Sequence, residues 1–467
     1  MASRYLSSSL WGSFVSCGPI SNRATARRAA VANPRGSMSL QLAVIMVPVL
    51  FGMMGFAIDL GRLYLIRGEL NQAANAMALA AAAQLVGTSA SLDNATAVAQ
   101  QSLDDSNHLG NKYNFGSLVI GQTTGRLTSM VNAPAYFATV ADATGSSGGT
   151  GTQADGATAR HVAISLTADA PLLFWSILPV GQSRKTPIAG QALAGISAPL
   201  CTACGIEPFA IAARDATDTV NFGFGDPTAG ALYTFAFYCI PTTTTIAPPT
   251  LVGPVVEYVV INRYDTANAT LDQTQQLYKD GAQGLVASLD PNPTGSPVPL
   301  ACAGINAPSE TIWASAVPAI CSTAISPSAS VTEALCGLYS RLANTPLPDI
   351  CAIAVTDYSD LSAAYLPDTD STTGEVYTSY AGNLRRIITV PIMNATAANA
   401  TVSMTVLGFR QFLLEPGSLN PADPYGRFVA QYIGSPAPVQ QGWFDDHFGL
   451  GCPIPVPYGP GKVVLHQ

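Results

Sequence analysis

The chain has 467 residues, of which 48% are hydrophobic and 11% are charged, whereas about 25% of residues are charged in a typical soluble domain. This composition excludes wholesale disorder, which requires low hydrophobicity together with high charge. The formal net charge of −8 argues against binding to nucleic acid through clustered Lys and Arg, so no nucleic-acid partner is predicted.

The first 36 residues form a basic leader. They contain five arginines and no acidic residue, so the rest of the chain carries 16 basic and 29 acidic groups, a net charge of −13. Basic segments beside a membrane span stay on the cytoplasmic side. We therefore predict that residues 1–36 are cytoplasmic and that the acidic remainder lies across a membrane.

One long apolar run follows the leader. Ser39–Ile58 has no charged residue and is long enough to cross the hydrocarbon core of a bilayer as a helix. An alanine-rich stretch comes next, in which apolar residues recur every three or four positions. The pattern predicts one helix from about Ser39 to Val86, whose first half contacts lipid and whose second half packs on protein. A cleaved signal peptide is the alternative, but the run exceeds the usual apolar core of such peptides.

Two motifs follow the apolar run at fixed offsets. The first is Asp59-Leu60-Gly61-Arg62, and the second is the alanine-rich run Leu70–Ala80, which contains Gln72 and Asn75. Together with the basic leader and the single span, they resemble the N-terminal segment of Tad (Flp) pilus-assembly proteins, in particular the TadG-like and TadE-like membrane proteins.

The resemblance implies a non-enzymatic, membrane-anchored bacterial envelope protein that is involved in pilus assembly or secretion. It implies a single pass through the cytoplasmic (inner) membrane, with the C-terminal region periplasmic or extracellular. The implied partners are the lipid bilayer, contacted through Ser39–Ile58, and other pilus-assembly or envelope proteins. No cofactor is implied.

Two departures from related patterns concern processing and metal binding. Type IV pilin-like precursors are cut after a glycine and carry Glu at the fifth mature position. If cleavage followed Gly36, the mature chain would begin at Ser37 and its fifth residue would be Gln41, which keeps the polar shape without the charge. A minor pilin or pseudopilin cleaved there is one alternative function. The Asp-x-Ser-x-Ser metal motif of the von Willebrand A-type domain, which TadG proteins often carry, is absent from the sequence.

Residues 89–200 are predicted to be β-rich. Arg160–Leu166 and Ile188–Ala194 alternate as strands do, and TadE/TadG-like proteins are similar in having a Pro-Leu-x-Phe turn between two such strands, here Pro171 to Phe174. The Gly/Ser/Thr-rich run Ala143–Thr152 is typical of a loop or hairpin tip.

Eight of the nine cysteines lie after residue 200, and the ninth, Cys17, lies in the leader. An even number on the outer side of a membrane indicates four disulfides in an oxidising compartment, although the connectivity is open. Cys201 and Cys204 form a C-x-x-C pair, which could instead belong to a zinc or redox site, but the sequence has no second C-x-x-C. The eight cysteines are Cys201, Cys204, Cys239, Cys302, Cys321, Cys336, Cys351 and Cys452.

Residues 201–467 are predicted to form a Cys-rich, β-rich domain of mainly antiparallel sheets, with a sandwich as one arrangement. One helix is expected at Val331–Leu342. The predicted strands are Tyr233–Phe237, Val255–Ile261, Ile350–Thr356, Arg386–Val390, Val402–Phe409 and Arg427–Ile433. The fold class is therefore α+β, divided into leader 1–36, transmembrane and Ala-rich helix 37–88, and two extracytoplasmic parts, 89–200 and 201–467.

No catalytic, cofactor or metal site is predicted, so the protein is expected not to be an enzyme. Gly145–Gly149 matches G-x-S-x-G, but it lacks the strand and helix that flank a nucleophile elbow. Asp445-Asp446-His447 is the one acid–His cluster, and a metal there would need a further ligand. A secreted binding or enzymatic domain on a membrane anchor, using residues 201–467, is the remaining alternative.

Overall fold

The computed structural model describes residues 37–104, 123–124, 129–131, 133–145, 153–172, 174, 185–207, 209–237, 252–260, 302–304, 312–313, 329–342, 349–354, 367–394, 403–423, 425–439, 441–443 and 458–466. The chain divides into two units, Met1–Ile58 and Asp59–Gln467. The basic leader, including Gly36, lies outside the described residues, as do the second part of the G-x-S-x-G match and Asp445–His447.

The described helices confirm the predicted long N-terminal helix, which contains Pro48 without a break. The helix expected at Val331–Leu342 is also present. The α-helices are α1 (Ser37–Ala82), α2 (Ser91–Asp104), α3 (Val140–Thr144), α4 (Ala329–Tyr339) and α5 (Asp349–Ala354), and Pro227–Ala229 and Tyr377–Ser379 form short 3₁₀ helices.

Most strand pairs are antiparallel, as predicted. The strands are β1 (Thr123–Thr124), β2 (Ser129–Val131), β3 (Ala135–Phe137), β4 (His161–Pro171), β5 (Lys185–Ile196), β6 (Thr202–Cys204), β7 (Phe209–Ala212), β8 (Leu232–Phe237), β9 (Val255–Val260), β10 (Cys302–Gly304), β11 (Ile312–Trp313), β12 (Ile387–Met393), β13 (Ser403–Met404), β14 (Val406–Leu414), β15 (Phe428–Gly434), β16 (Gln441–Trp443) and β17 (Val463–His466).

The described part of the first unit is the beginning of α1, and its large apolar side chains are exposed. Between Met38 and Ile58 each of them exposes 48% to 80% of its surface. Among the described residues, the helix over Leu40–Ala82 is the one that is long and apolar enough to cross a membrane. This finding agrees with the predicted single span.

In the second unit, α1 continues as a core element. From Ile66 onward, buried residues recur every three or four positions along one face of α1. This face packs on β4 and β5, whose contacting side chains include Ile164 and Ala194. The two elements approach closely, since a Cβ added to Gly190 on β5 would lie 2.8 Å from the Cβ of Leu70. Small residues in the helix and the strand allow this approach, as the alanine-rich pattern predicted.

The sheet under α1 has six strands, all antiparallel. Their order is β1-β2-β4-β5-β17, and β3 also pairs with β4. The central pair, β4 and β5, confirms the two strands predicted within 160–194. The edge strand β17 comes from the end of the chain, so the sheet joins residues from both predicted extracytoplasmic parts. The boundary near residue 200 stays a prediction.

A closed barrel of six strands forms the second core. Its order is β12-β14-β15-β8-β9-β7, and the β8–β9 and β7–β12 pairs are parallel. Aromatic rings fill the core, among them Phe235, whose ring centroid lies 4.8 Å from that of Phe428. The strands predicted at Tyr233–Phe237 and Arg427–Ile433 are β8 and β15. The sheet therefore closes on itself in place of the sandwich that was one expectation.

One predicted strand is wrong. Residues 350–354 of the predicted strand Ile350–Thr356 belong to the helix α5. A short apolar run fits a buried helix as well as a strand, and here tertiary structure decides. A disulfide joins Cys336 on α4 to Cys351 on α5, with 5.7 Å between their Cα atoms, and it holds α5 against α4.

The stability of the six-stranded sheet is predicted to depend on pH, because His161 on β4 is buried with its ring 5.1 Å from that of His466 on β17. Burial, followed by the nearby charges of His466 and Arg160, lowers the pKa of His161 to about 4, against about 6.5 in an unfolded chain. The unfolded chain therefore binds an extra proton between these values, and the stability present above pH 6.5 is lost as the pH falls towards 4. We expect a loss of about 1–2 kcal/mol, allowing for solvent screening.

The measurement is the free energy of unfolding of the detergent-solubilised chain at several pH values. The His161→Gln variant should lose less stability than the wild type between pH 6.5 and 4, while buried carboxylates contribute equally to both. Identical pH profiles would refute this role for His161.

Candidate functional site

Asp59, the acidic residue directly after the apolar run, makes a buried structural contact. Asp59 is 6% exposed, and its carboxylate oxygens accept hydrogen bonds from the backbone N–H of Phe174, at 3.0 and 3.3 Å. Phe174 follows β4, at the Pro-Leu-x-Phe turn that the sequence analysis singled out. A buried carboxylate is costly without a donor, so this bond holds the segment after β4 against α1.

A groove lies beside this contact, between α1 and the start of β5. Its volume is about 450 Å³. Leu60, Leu63 and Tyr64 line it from α1 together with Arg67, and residues 186–189 line it from β5. Tyr64 is 77% exposed. Tyrosine and arginine beside an apolar helix are typical of the interface between membrane and water.

The other motif residues on α1 point in different directions. A Cβ added to Gly61 would meet no atom within 4 Å, so this glycine faces open space. Arg62 is half-buried, and in the alanine-rich run Gln72 is exposed whereas Asn75 is half-buried. The motif residues thus combine one buried anchor, Asp59, with polar side chains that are half-buried or exposed.

The residues of the predicted processing site are described in part. Ser37 begins α1, Gln41 is exposed on it, and Gly36 lies outside the described residues. Cleavage after Gly36 stays a prediction of the pilin alternative.

The cysteines that the structure describes agree with an oxidised body. Cys336 and Cys351 form a disulfide, and Cys201 is also disulfide-bonded. Cys204 on β6 lies opposite Cys302 on β10 in the strand register. Three further cysteines, Cys239, Cys321 and Cys452, lie outside the described residues, and the prediction of four disulfides stays open.

No group of three or more His, Cys, Asp or Glu side chains is arranged to hold a metal ion within the described ranges. The sequence reasoning missed the partner of Asp59, because the two groups are 115 residues apart. The Pro-Leu-x-Phe turn was the available signal, and it marked the right segment without showing what it contacts.

Comparison with known proteins identifies the N-terminal segment. Residues 36–84 match the Tad family model, described as "Putative Flp pilus-assembly TadE/G-like". No curated protein and no solved structure matches the chain. The match begins one residue before α1 and contains both motifs, Asp59-Leu60-Gly61-Arg62 and the alanine-rich run. Residues 36–84 of the chain are therefore similar to the TadE/G-like segment of Flp pilus-assembly proteins.

Proposed function

We propose that this protein is a non-enzymatic, membrane-anchored envelope component of Tad/Flp-type pilus assembly or secretion. The observation that carries the proposal is the position of the family segment. Residues 36–84 include the apolar, exposed beginning of α1 and also the buried face of α1 that builds a core with β4 and β5. One segment therefore supplies both a membrane contact and a folded attachment.

Asp59 supports this division of α1 into two parts. It lies at the end of the uncharged run, and its bond to the backbone of Phe174 attaches the body to the helix directly after the run. In this proposal, Ser39–Ile58 contacts lipid and the body beyond Asp59 meets other pilus-assembly or envelope proteins.

The proposed orientation places the body outside the cytoplasm, in a single-pass protein of the inner membrane. The arginine-rich leader supports a cytoplasmic N-terminus. The disulfide between Cys336 and Cys351 supports an oxidising compartment for the body, because disulfides rarely persist in the bacterial cytoplasm.

A deletion strain tests the proposed role. Loss of this protein should abolish Flp-type pili, counted by electron microscopy, and expression of the full chain should restore them. A form that reaches the periplasm without Ser39–Ile58 should fail to restore them, because a body that diffuses freely is no longer held at the assembly site. Normal piliation of the deletion strain would refute the role, and full rescue by the unanchored form would refute the need for an anchor.

N-terminal sequencing of the purified protein separates this proposal from the pilin alternative. An anchored assembly protein keeps its leader, whereas a mature end at Ser37 favours a pilin-like protein that enters a fibre.

A further inference from the structure

A cleft of about 500 Å³ lies in the second unit, within the range of about 300–1,000 Å³ that is typical of small-molecule sites. Its walls come from segments that are far apart in the sequence. They include the turn at Gly87 after α1, residues 157–160 before β4, residues 376–378 before β12 and residues 433–436 at the end of β15.

Two arginines line this cleft. Arg160 donates from Nη1 to the backbone oxygen of Pro436 at 2.6 Å. Arg410 is 2% exposed; it donates from Nη1 to the backbone oxygen of Phe409 at 2.6 Å and from Nε to that of Val220 at 3.0 Å. All these acceptors are neutral carbonyl oxygens, so the contacts orient the two guanidinium groups without neutralising their charge.

One acidic side chain, Asp218, acts on Arg410 and offsets part of its charge. The carboxylate of Asp218 accepts hydrogen bonds from the backbone N–H groups of Val220 and Gly223, both at 3.0 Å. Arg160 forms no ion pair with a carboxylate in the part of the chain that the structure describes. Its Nε and Nη2 donors have no protein partner there and remain available.

The rest of the lining is neutral. None of the described lining residues is Asp or Glu, and Asn221, Thr228 and Ser435 contribute polar groups. Tyr458 also lines the cleft and is 49% exposed. A concave site that is lined by two guanidinium groups and by no acidic side chain attracts an anion, and the planar fork of Arg matches carboxylate and phosphate oxygens.

We propose that this cleft binds a small organic anion, whose carboxylate or phosphate group is held by the free donors of Arg160 while Arg410 supplies a second positive charge. The site goes beyond the pilus role, because every lining residue lies outside the family segment 36–84.

The test is isothermal titration calorimetry on the detergent-solubilised full chain at constant ionic strength. Glucuronate and glucose 6-phosphate serve as the carboxylate and phosphate probes, and glucose is the neutral control. At least one anionic sugar should bind. Glucose should bind at least about tenfold more weakly than that sugar, because it lacks a charge-assisted hydrogen bond. The tighter of the two anionic probes identifies the preferred group.

Substitution assigns the binding to the cleft. Arg160→Gln should weaken binding by about tenfold or more, whereas Arg67→Gln, which removes the same charge on exposed α1, should leave it unchanged. Arg160→Lys keeps the charge and should retain part of the affinity, so it replaces Arg160→Gln if thermal melting shows that the latter is unfolded.

Three results would overturn the proposal. One is the failure of both anionic sugars to bind more tightly than glucose. Another is unchanged affinity in a folded Arg160→Gln variant, and the third is unchanged affinity in Arg160→Lys when Arg160→Gln does not fold.

Discussion

Removal of Ser39–Ile58 should transfer nearly all of the protein from the membrane fraction to the soluble fraction. This run holds thirteen large apolar side chains that are each at least 48% exposed, and burying one such side chain contributes about 1.5–3 kcal/mol. The core of the body starts only at Ile66, so the deletion leaves its packing residues in place.

The experiment compares two exported proteins. In the first, a cleavable export signal replaces residues 1–58, so that the body still reaches an oxidising compartment; in the second, the same signal precedes the chain from Ser39. Membranes are pelleted and washed with alkaline carbonate, which removes peripheral proteins. The second protein should remain in the pellet and the first in the supernatant. A body that still pellets without Ser39–Ile58 would show that this run is not the anchor.

Substitution of Arg341 by Met should destabilise the body by about 3–5 kcal/mol. Arg341 follows α4 and is fully buried together with Glu207, which precedes β7. Its Nη2 donates to Oε2 of Glu207 at 3.0 Å, and its Nη1 donates to Oε1. Burial raises the pKa of Glu207, and the charge of Arg341 opposes that rise. The variant would therefore leave a buried carboxylate without its main counter-charge.

The measurement is equilibrium denaturation of the solubilised chain at neutral pH. Arg214→Met, at an exposed arginine, is the matched control and should cost less than about 1 kcal/mol. The double variant Glu207→Gln/Arg341→Met should recover part of the lost stability, because both charges are gone. A cost below about 1 kcal/mol for Arg341→Met, or a double variant less stable than the single one, would contradict the argument.

These two predictions concern different parts of the molecule. The first depends on side chains that the folded protein leaves exposed, and the second on charges that it buries completely. The family segment at residues 36–84 contains the exposed apolar run, so the pilus proposal rests on α1, whereas the ion pair concerns how the barrel and α4 are held together.

Local pattern determined the elements that lie close together in the sequence. The uncharged run and the alanine spacing predicted α1 within a few residues, because helix periodicity is written in neighbouring positions. Alternation at 160–166 and 188–194 likewise predicted β4 and β5. The two motifs after the run are by themselves enough to show the resemblance of the N-terminal segment to the Tad family.

Tertiary structure alone decided which distant segments meet. The helical state of α5, the pairing of β17 with β5 and the closure of the barrel all depend on contacts between residues far apart in the chain, and a short apolar run does not specify them. The same holds for the sites. Asp59 and Phe174 were each visible as motif residues, but the contact between them was not. Arg160 appeared only as the start of a strand until Arg410 was brought into the same cleft. Composition and periodicity record which residues prefer to be buried, whereas the partner that each one meets is set by packing of the whole chain.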